Sequence, residues 1–461
     1  MSNYVIPVLC LFFLLTFPVS LAAQAEQAQQ VTGNKTQTLH LTDREGLALG
    51  ARLVDAGRLA EAKVLYATLA QSTVLKIQLE AVFQLAQVLT LEKNFTEAIK
   101  LLLSILNQHP SLPRVRLELA RAYFMDKNYS DAEFHFTMVR GGKDIPPEVT
   151  EKIDMFLSAI RKQKNWSISV GFNLIPDSNM NQASGGTQEC ISTPYGLLCR
   201  KLDEEKRGMG VSFDATAEYY LRLTRELGVR NTIGIHLTDY GGSKYDDNTF
   251  YAATGPRYTF DSGEASIQPT FSKRWVSGKD YSESYGVRLD AQKHFGRLII
   301  AGGGSWTQTN YNDSYIQSML QGDAYSFYIA PRYILSSQSY IQPSISYQRN
   351  NARNDALGYD SWRYGLGWYY FFKYGFSLKL DYALAREKYH GDQFYITKSH
   401  AIDSTRRRDT VHTFGANIST NIFEDLGLRP SIQYTYIRRG SNIWTNSYDR
   451  HRINVGIEFV F

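Results

Sequence analysis

Arg452-Ile453-Asn454-Val455-Gly456-Ile457-Glu458-Phe459-Val460-Phe461 is the stretch whose reading decides the fold. In an extended chain Ile453, Val455, Ile457, Phe459 and Phe461 fall on one face, and Asn454, Gly456 and Glu458 on the other. A helix would scatter both sets around its circumference. This is a strand with one apolar side, and its last residue is aromatic.

The same alternation recurs upstream as far as Trp166. It predicts strands at 166–174, 209–223, 226–239, 248–260, 264–275, 281–294, 297–309, 323–335, 339–349, 360–372, 376–386, 410–421, 427–437 and 450–461. Their connections alternate in length. The long ones are 175–208, 240–247, 276–280, 310–322, 350–359, 387–409 and 438–449. Tight turns lie between them at Thr224-Arg225, Asp261-Ser262-Gly263, Phe295-Gly296, Ser336-Ser337-Gln338, Lys373-Tyr374-Gly375 and Asn421 to Leu426. An even number of strands, long loops at one end and short turns at the other are the habit of outer-membrane barrels. An open edge in hydrocarbon would leave N–H and C=O groups unpaired at several kcal/mol each, so closure is expected. Ile453, Val455, Ile457, Phe459 and Phe461 then read as the barrel assembly signal, and outer-membrane lipid as a partner. Aromatics make up 13% of the chain, 31 of them Tyr, which suits rings held at a membrane–water interface. The net charge of +5 is scattered, and the longest basic run is Arg406-Arg407-Arg408, so no nucleic-acid partner is indicated.

Before Trp166 the period changes. Residues 1–25 read as a secretory signal peptide: an apolar run from Tyr4 to Ala23 is followed by Ala23-Gln24-Ala25 as a cleavage site. Residues 26–42 are a Gln-rich flexible lead. Residues 43–164 repeat. Arg58-Leu59-Ala60-Glu61-Ala62, Asn94-Phe95-Thr96-Glu97-Ala98 and Asn128-Tyr129-Ser130-Asp131-Ala132 place their last alanines 36 and then 34 residues apart. A period of 34 is that of the tetratricopeptide repeat. Leu85, Ala86, Leu89, Ala98 and Leu102 form the core of the second copy, and Leu119, Ala120, Tyr123, Ala132 and Phe136 that of the third. Pro146-Pro147 opens a capping helix, roughly 148–164. The expected architecture is thus α + β in two domains. An N-terminal tetratricopeptide-like α-solenoid over 43–164 precedes an antiparallel transmembrane β-barrel of about 14 strands over 166–461. With both barrel ends on one side of the membrane, the repeats are periplasmic.

Candidate chemistry is sparse. His236 shares a strand face with Thr238, and His400 and Asp403 share a loop, but nothing joins them into a triad. Asp177-Ser178-Asn179-Met180-Asn181 opens like a calcium loop, yet Gln182 and Gln188 stand where Gly and Glu are needed. An Asx-rich turn is the better reading. Cys10 would leave with the signal peptide, and Cys190 and Cys199 read as a disulfide within the first long, outward-facing loop. No catalytic residue, metal site or cofactor is expected, and the chain is not read as an enzyme.

The layout resembles the surface lipoprotein assembly modulators. The residues carrying the likeness are Pro176, Asp177, Ser178, Asn179 and Asn181 after the first strand, and the repeat helix from Val115 to Tyr123. The resemblance implies translocation of partner proteins across the outer membrane. The implied cargo is surface lipoproteins or related secreted haem- or metal-binding proteins, with the barrel-assembly machinery as a further partner. A polysaccharide-export barrel and a solute porin are the alternatives.

Overall fold

The computed structural model describes residues 41–142, 145–241, 244–423 and 428–460. The signal peptide, Cys10, the lead up to residue 40, residues 424–426 of the expected turn from Asn421 to Leu426, and Phe461 lie outside the described residues.

Seven helices open the described chain: α1 (Asp43–Asp55), α2 (Leu59–Leu69), α3 (Leu75–Leu91), α4 (Phe95–Gln108), α5 (Pro113–Met125), α6 (Tyr129–Arg140) and α7 (Pro147–Gln163). The 34-residue repeat is visible in their turns. Lys93 and Lys127 both take a left-handed backbone, with φ of 63° and 65°. The next residues, Asn94 and Asn128, cap α4 and α6 by accepting from the Glu97 and Asp131 amides. Small residues sit where paired helices cross. Ala86, Ala98, Ala120 and Ala132 are fully buried, with Leu102, Leu119, Tyr123 and Phe136 packed around them. Leu89 is buried too, while Leu85 is half-buried against a smaller cluster around Tyr66.

Fourteen strands follow and close on themselves. They are β1 (Trp166–Asp177), β4 (Gly208–Arg222), β5 (Leu227–Asp239), β6 (Asp247–Phe260), β7 (Gly263–Val276), β8 (Lys279–Phe295), β9 (Leu298–Tyr311), β10 (Gly322–Ser336), β11 (Ser339–Ala352), β12 (Tyr359–Phe371), β13 (Phe376–Ile396), β14 (Ile402–Thr420), β15 (Leu428–Ser441) and β16 (Tyr448–Val460). Each pairs antiparallel with its neighbours, and β1 joins β16 to complete the ring. A two-stranded hairpin, β2 (Gln188–Thr193) with β3 (Gly196–Lys201), stands apart in the first long loop. A short helix, α8 (Ser314–Leu320), lies in the fourth. Alternation puts Ile453, Val455 and Ile457 on the outer wall, between 38 and 44% exposed, where lipid covers them. Phe459 is half-buried on the same face. Gln268 and Thr232 are buried on the inner wall.

Three of the connections differ from the sequence reading. Residues 387–409 are not a loop: β13 and β14 run on for 21 and 19 residues and pair beyond the membrane. About 9–11 residues suffice to cross a bilayer. The projecting part meets no lipid, so its apolar residues Phe394, Ile396 and Ile402 sit together at its tip and do not recur at every second position down the strands. Residues 276–280 form a tight turn, not a long loop, because Ser277 and Gly278 both adopt positive φ and reverse the chain in two residues. Residues 175–208 contain the β2–β3 hairpin, whose short strands are not bound to the barrel's period.

Candidate functional site

The helices lie across the short-turn mouth of the barrel, held by contacts that, Asp131 apart, use residues outside the repeat signature. From the last turn of α6, Arg140 Nη1 donates to the Gly296 carbonyl at 3.1 Å, in the turn between β8 and β9. From that same turn Arg297 Nη2 donates back to the Gly142 carbonyl at 2.8 Å. Arg161 of α7 donates to the Asp261 carbonyl between β6 and β7. Asp131 of α6 pairs with Arg429 at the start of β15. The ring of Phe134 meets Tyr369 edge-on at 6.0 Å. Gly141 has no room for a Cβ, which would land on Ile334 at the end of β10.

Arg116 is 1% exposed. Its guanidinium donates to His135 Nδ1 at 3.1 Å and to the Pro110 carbonyl at 3.2 Å, and sits 5.2 Å over the Phe371 ring of the barrel. Burial lowers its pKa to about 10, which still leaves it a cation at neutral pH. Burial, then the charges of Arg116 and Arg429, hold His135 well below the ordinary histidine value, so its ring is neutral and accepts. A cavity of about 330 Å³ lies behind the helices. Glu133, Arg161 and Lys164 face it from the helical side, and Tyr220, Arg257 and Glu264 from the barrel wall. Enclosure in that cavity raises the Glu133 pKa, against the pull of Lys164.

Inside the barrel several charges are paired by sign, Arg288 with Asp290 at 2.7 Å, Arg439 with Glu387 at 2.8 Å and Arg274 with Asp247 at 2.6 Å, while Arg332 donates to Gln342 Oε1 at 3.2 Å. His236 does meet a carboxylate, Asp214, from the adjoining strand, and its other nitrogen lies 3.2 Å from Thr238 Oγ1. Thr238 is 9% exposed, whereas the His236 and Asp214 side chains are about half exposed. Among the described residues no three His, Cys, Asp or Glu side chains gather to hold a metal ion.

The segment from Pro176 to Asn181, expected after the first strand, begins inside it, since β1 runs on through Asp177, and it ties the ring's closing seam. Pro176 has no N–H to offer β16, and the bridges between β1 and β16 skip it, resuming at Asp177 opposite Arg452. Around that gap the side chains take over. Asp177 is buried and accepts from Arg450 Nε at 3.1 and 3.0 Å, and from Tyr240 Oη at 3.3 Å. Its Oδ1 also takes the Asn179 amide at 3.0 Å, an Asx turn. Ser178 Oγ accepts from the His451 amide at 2.8 Å. Asn179, fully buried, donates to the Asp449 and Ala183 carbonyls at 3.1 and 2.9 Å. Asn181 bridges the Glu204 carbonyl and the Lys206 amide at 2.8 and 2.9 Å.

A family model described as surface lipoprotein assembly modifier matches residues 166–461, and a tetratricopeptide-repeat model matches residues 89–140. The chain belongs to the surface lipoprotein assembly modifier family. Surface lipoprotein assembly modifier 1 of Haemophilus influenzae is 24% identical over 80% of this chain and 74% of its own. The surface lipoprotein assembly modifier of Pasteurella multocida is 24% identical over 77% of this chain and 72% of its own. Among solved structures, a loop-deletion form of OmpT, an outer membrane protein of Vibrio cholerae, is 10% identical with a TM-score of 0.34. It covers 65% of this chain and 100% of that one.

In this family the 14-strand ring is an outer-membrane barrel with its helical repeats N-terminal to it. Sequence reasoning passed over Arg116, Glu133, Arg140, Arg161, Arg429 and Arg450. Nothing in their local sequence marks them, because charged residues are ordinary on the solvent faces of helices and their partners lie far off in the chain.

Proposed function

We propose that this surface lipoprotein assembly modifier family member delivers partner proteins across the outer membrane. The partners are surface lipoproteins or related secreted proteins that acquire haem or metals. The repeat domain, on the periplasmic side, captures the partner, and the barrel supplies the route or the assembly platform, working beside the barrel-assembly machinery. The observation carrying this reading is the seating of a repeat domain across the short-turn mouth, through Arg140, Arg161, Arg297 and the Asp131–Arg429 pair. A solute porin has no use for such a closure. A polysaccharide exporter would favour a lumen of one sign, whereas acidic and basic side chains stand in pairs along this one. The role needs no bond-making chemistry in the chain. Folding of the cargo outside, or a partner machine, supplies direction.

The test compares surface-exposed and secreted proteins with and without the gene, by protease shaving and mass spectrometry. One lipoprotein or haem-binding protein held inside at unchanged total level is the expected result. If no protein changes place, delivery is refuted. Deleting residues 43–164 separates the rivals, since a porin without its helices still conducts whereas a translocator loses its cargo.

A further inference from the structure

The β2–β3 hairpin stands on the long-loop side of the barrel with one edge taken and one edge open. Cys190 and Cys199 are disulfide-bonded directly across it, with Cα atoms 4.0 Å apart. So short a separation marks a pair that exchanges no backbone hydrogen bonds. Alternation then makes Glu189–Arg200 and Ile191–Leu198 the bonded pairs. Two contacts support that assignment. The Leu202 amide continues the bonded set by donating to the Thr187 carbonyl at 3.0 Å. The Ser192 amide points out of the hairpin and donates to the His400 carbonyl at 2.8 Å. His400 thus occupies the outer edge of β2. On β3 the outward groups belong to Leu197, Cys199 and Lys201, which find no backbone partner among the described residues. All six residues of β3 are exposed.

The second observation concerns the hairpin's face. Ile191 and Leu198 look across a cleft of about 690 Å³ whose far wall includes Phe394, Ile402 and Ile443, carried by the projecting β13–β14 hairpin and the last loop. Phe394 is 84% exposed and Ile402 67%, far from any lipid that would cover them. A free row of N–H and C=O groups beside an apolar cleft is the arrangement that takes an added strand. The backbone row gives affinity, and the cleft selects apolar side chains at alternate positions.

We propose that β3 is a strand-addition site for an extended segment of the delivered protein as it emerges on the outer side, with apolar residues at every second position. The occupant is an extended segment because a row of backbone N–H and C=O groups is paired only by another strand. The disulfide holds the two strands in register, so the open edge is formed before the segment arrives. This inference rests on the delivery reading above and deepens it.

The test uses the full chain in detergent micelles and a short fluorescent peptide of alternating Val and Thr. A twin peptide carries N-methyl groups on the amides of one edge. Tighter binding of the unmodified peptide, by about tenfold, is expected. Leu197→Pro deletes one outward N–H of β3 and leaves the β2–β3 pairs intact, so it should abolish that preference. Lys201→Pro should act alike, and unchanged heat-modifiable mobility of the barrel shows that folding survived. Equal binding of the two peptides, or a preference untouched by both variants, overturns the site. In cells, Leu197→Pro should slow surface arrival of whichever protein the deletion strain retains. If peptide binding is lost and arrival is unchanged, the emerging protein is not the occupant. A deletion strain that retains nothing refutes delivery itself and leaves the peptide result standing.

Discussion

Asp177 at the end of the first barrel strand and Arg450 near the start of the last are joined by charge-assisted hydrogen bonds of 3.0 and 3.1 Å across the seam that closes the ring. The seam lacks a ladder bond at Pro176, and the Asp177 carboxylate is wholly buried beside that gap. Asp177→Ala strands a guanidinium that is itself only 14% exposed. Losing one partner of such a pair costs about 3–5 kcal/mol. The temperature at which the barrel loses its fast-migrating form on a gel should drop, and the double variant with Arg450→Leu should recover part of the loss. A single variant that melts like the parent would show that the ladder alone holds the seam.

Gly141 and Ile334 set how closely the helices approach the mouth. Gly141→Val should force them apart, since Ile334 is 1% exposed and cannot turn away. Overpacking of this kind costs about 1–3 kcal/mol. Limited proteolysis should cut faster in the 141–147 connection while the barrel keeps its mobility. Ile334→Gly in the same chain, which removes the Cβ that the new side chain meets first, should restore part of the protection, an outcome that a general folding defect would not give.

His135 and Glu133 predict pH responses of opposite sign. The folded His135 has a depressed pKa, so its contribution is present above the ordinary value of 6.5 and is lost as pH falls below it. The folded Glu133 has a raised pKa, so its contribution grows as pH falls from that raised value toward the ordinary 4.5. Urea midpoints of the helical signal should show this across mildly acidic pH. Acidification should erode the stability of the parent relative to His135→Gln and improve it relative to Glu133→Gln. Parallel curves for all three chains would mean that neither group is enclosed as the structure has it.

What the sequence made legible was whatever had a period. Alternation located the barrel strands, and the 34-residue register located the repeats through residues such as Ala98 and Ala132. Periodicity fell silent where both faces of a strand are polar: Asp392 opposite Arg406, above the membrane, read as loop. It was silent again on long-range partnership. Asp131 looked like one letter of a repeat signature, yet its partner Arg429 lies 298 residues away. Asp177 and Arg450, 273 apart, meet only because the first strand pairs with the last in one register. Pro176, Asp177, Ser178, Asn179 and Asn181 could be quoted as a likeness, but their work at the seam is a matter of geometry and had no sequence trace.

The reciprocal contact between Arg140 and Arg297 decides whether the mouth is a plug or an open collar. Each arginine donates a hydrogen bond to a glycine carbonyl beside the other, Gly296 and Gly142, so the α6 end and the β8–β9 turn are clasped from both sides. Neither bond depends on a partner side chain, so a substitution leaves no orphaned charge behind, and the loss is that of two charge-assisted hydrogen bonds, about 1.5–3 kcal/mol each. Arg140 also pairs with Asp154, which would stay exposed to water when released. Arg140→Ala with Arg297→Ala should therefore loosen the helices without unfolding the barrel. In planar bilayers the parent should conduct rarely and the double variant often, each single variant falling between. Conductance that is high in the parent and unmoved by the double variant would mean that ions already pass around the helices, and the route for cargo would have to be sought elsewhere than through this mouth.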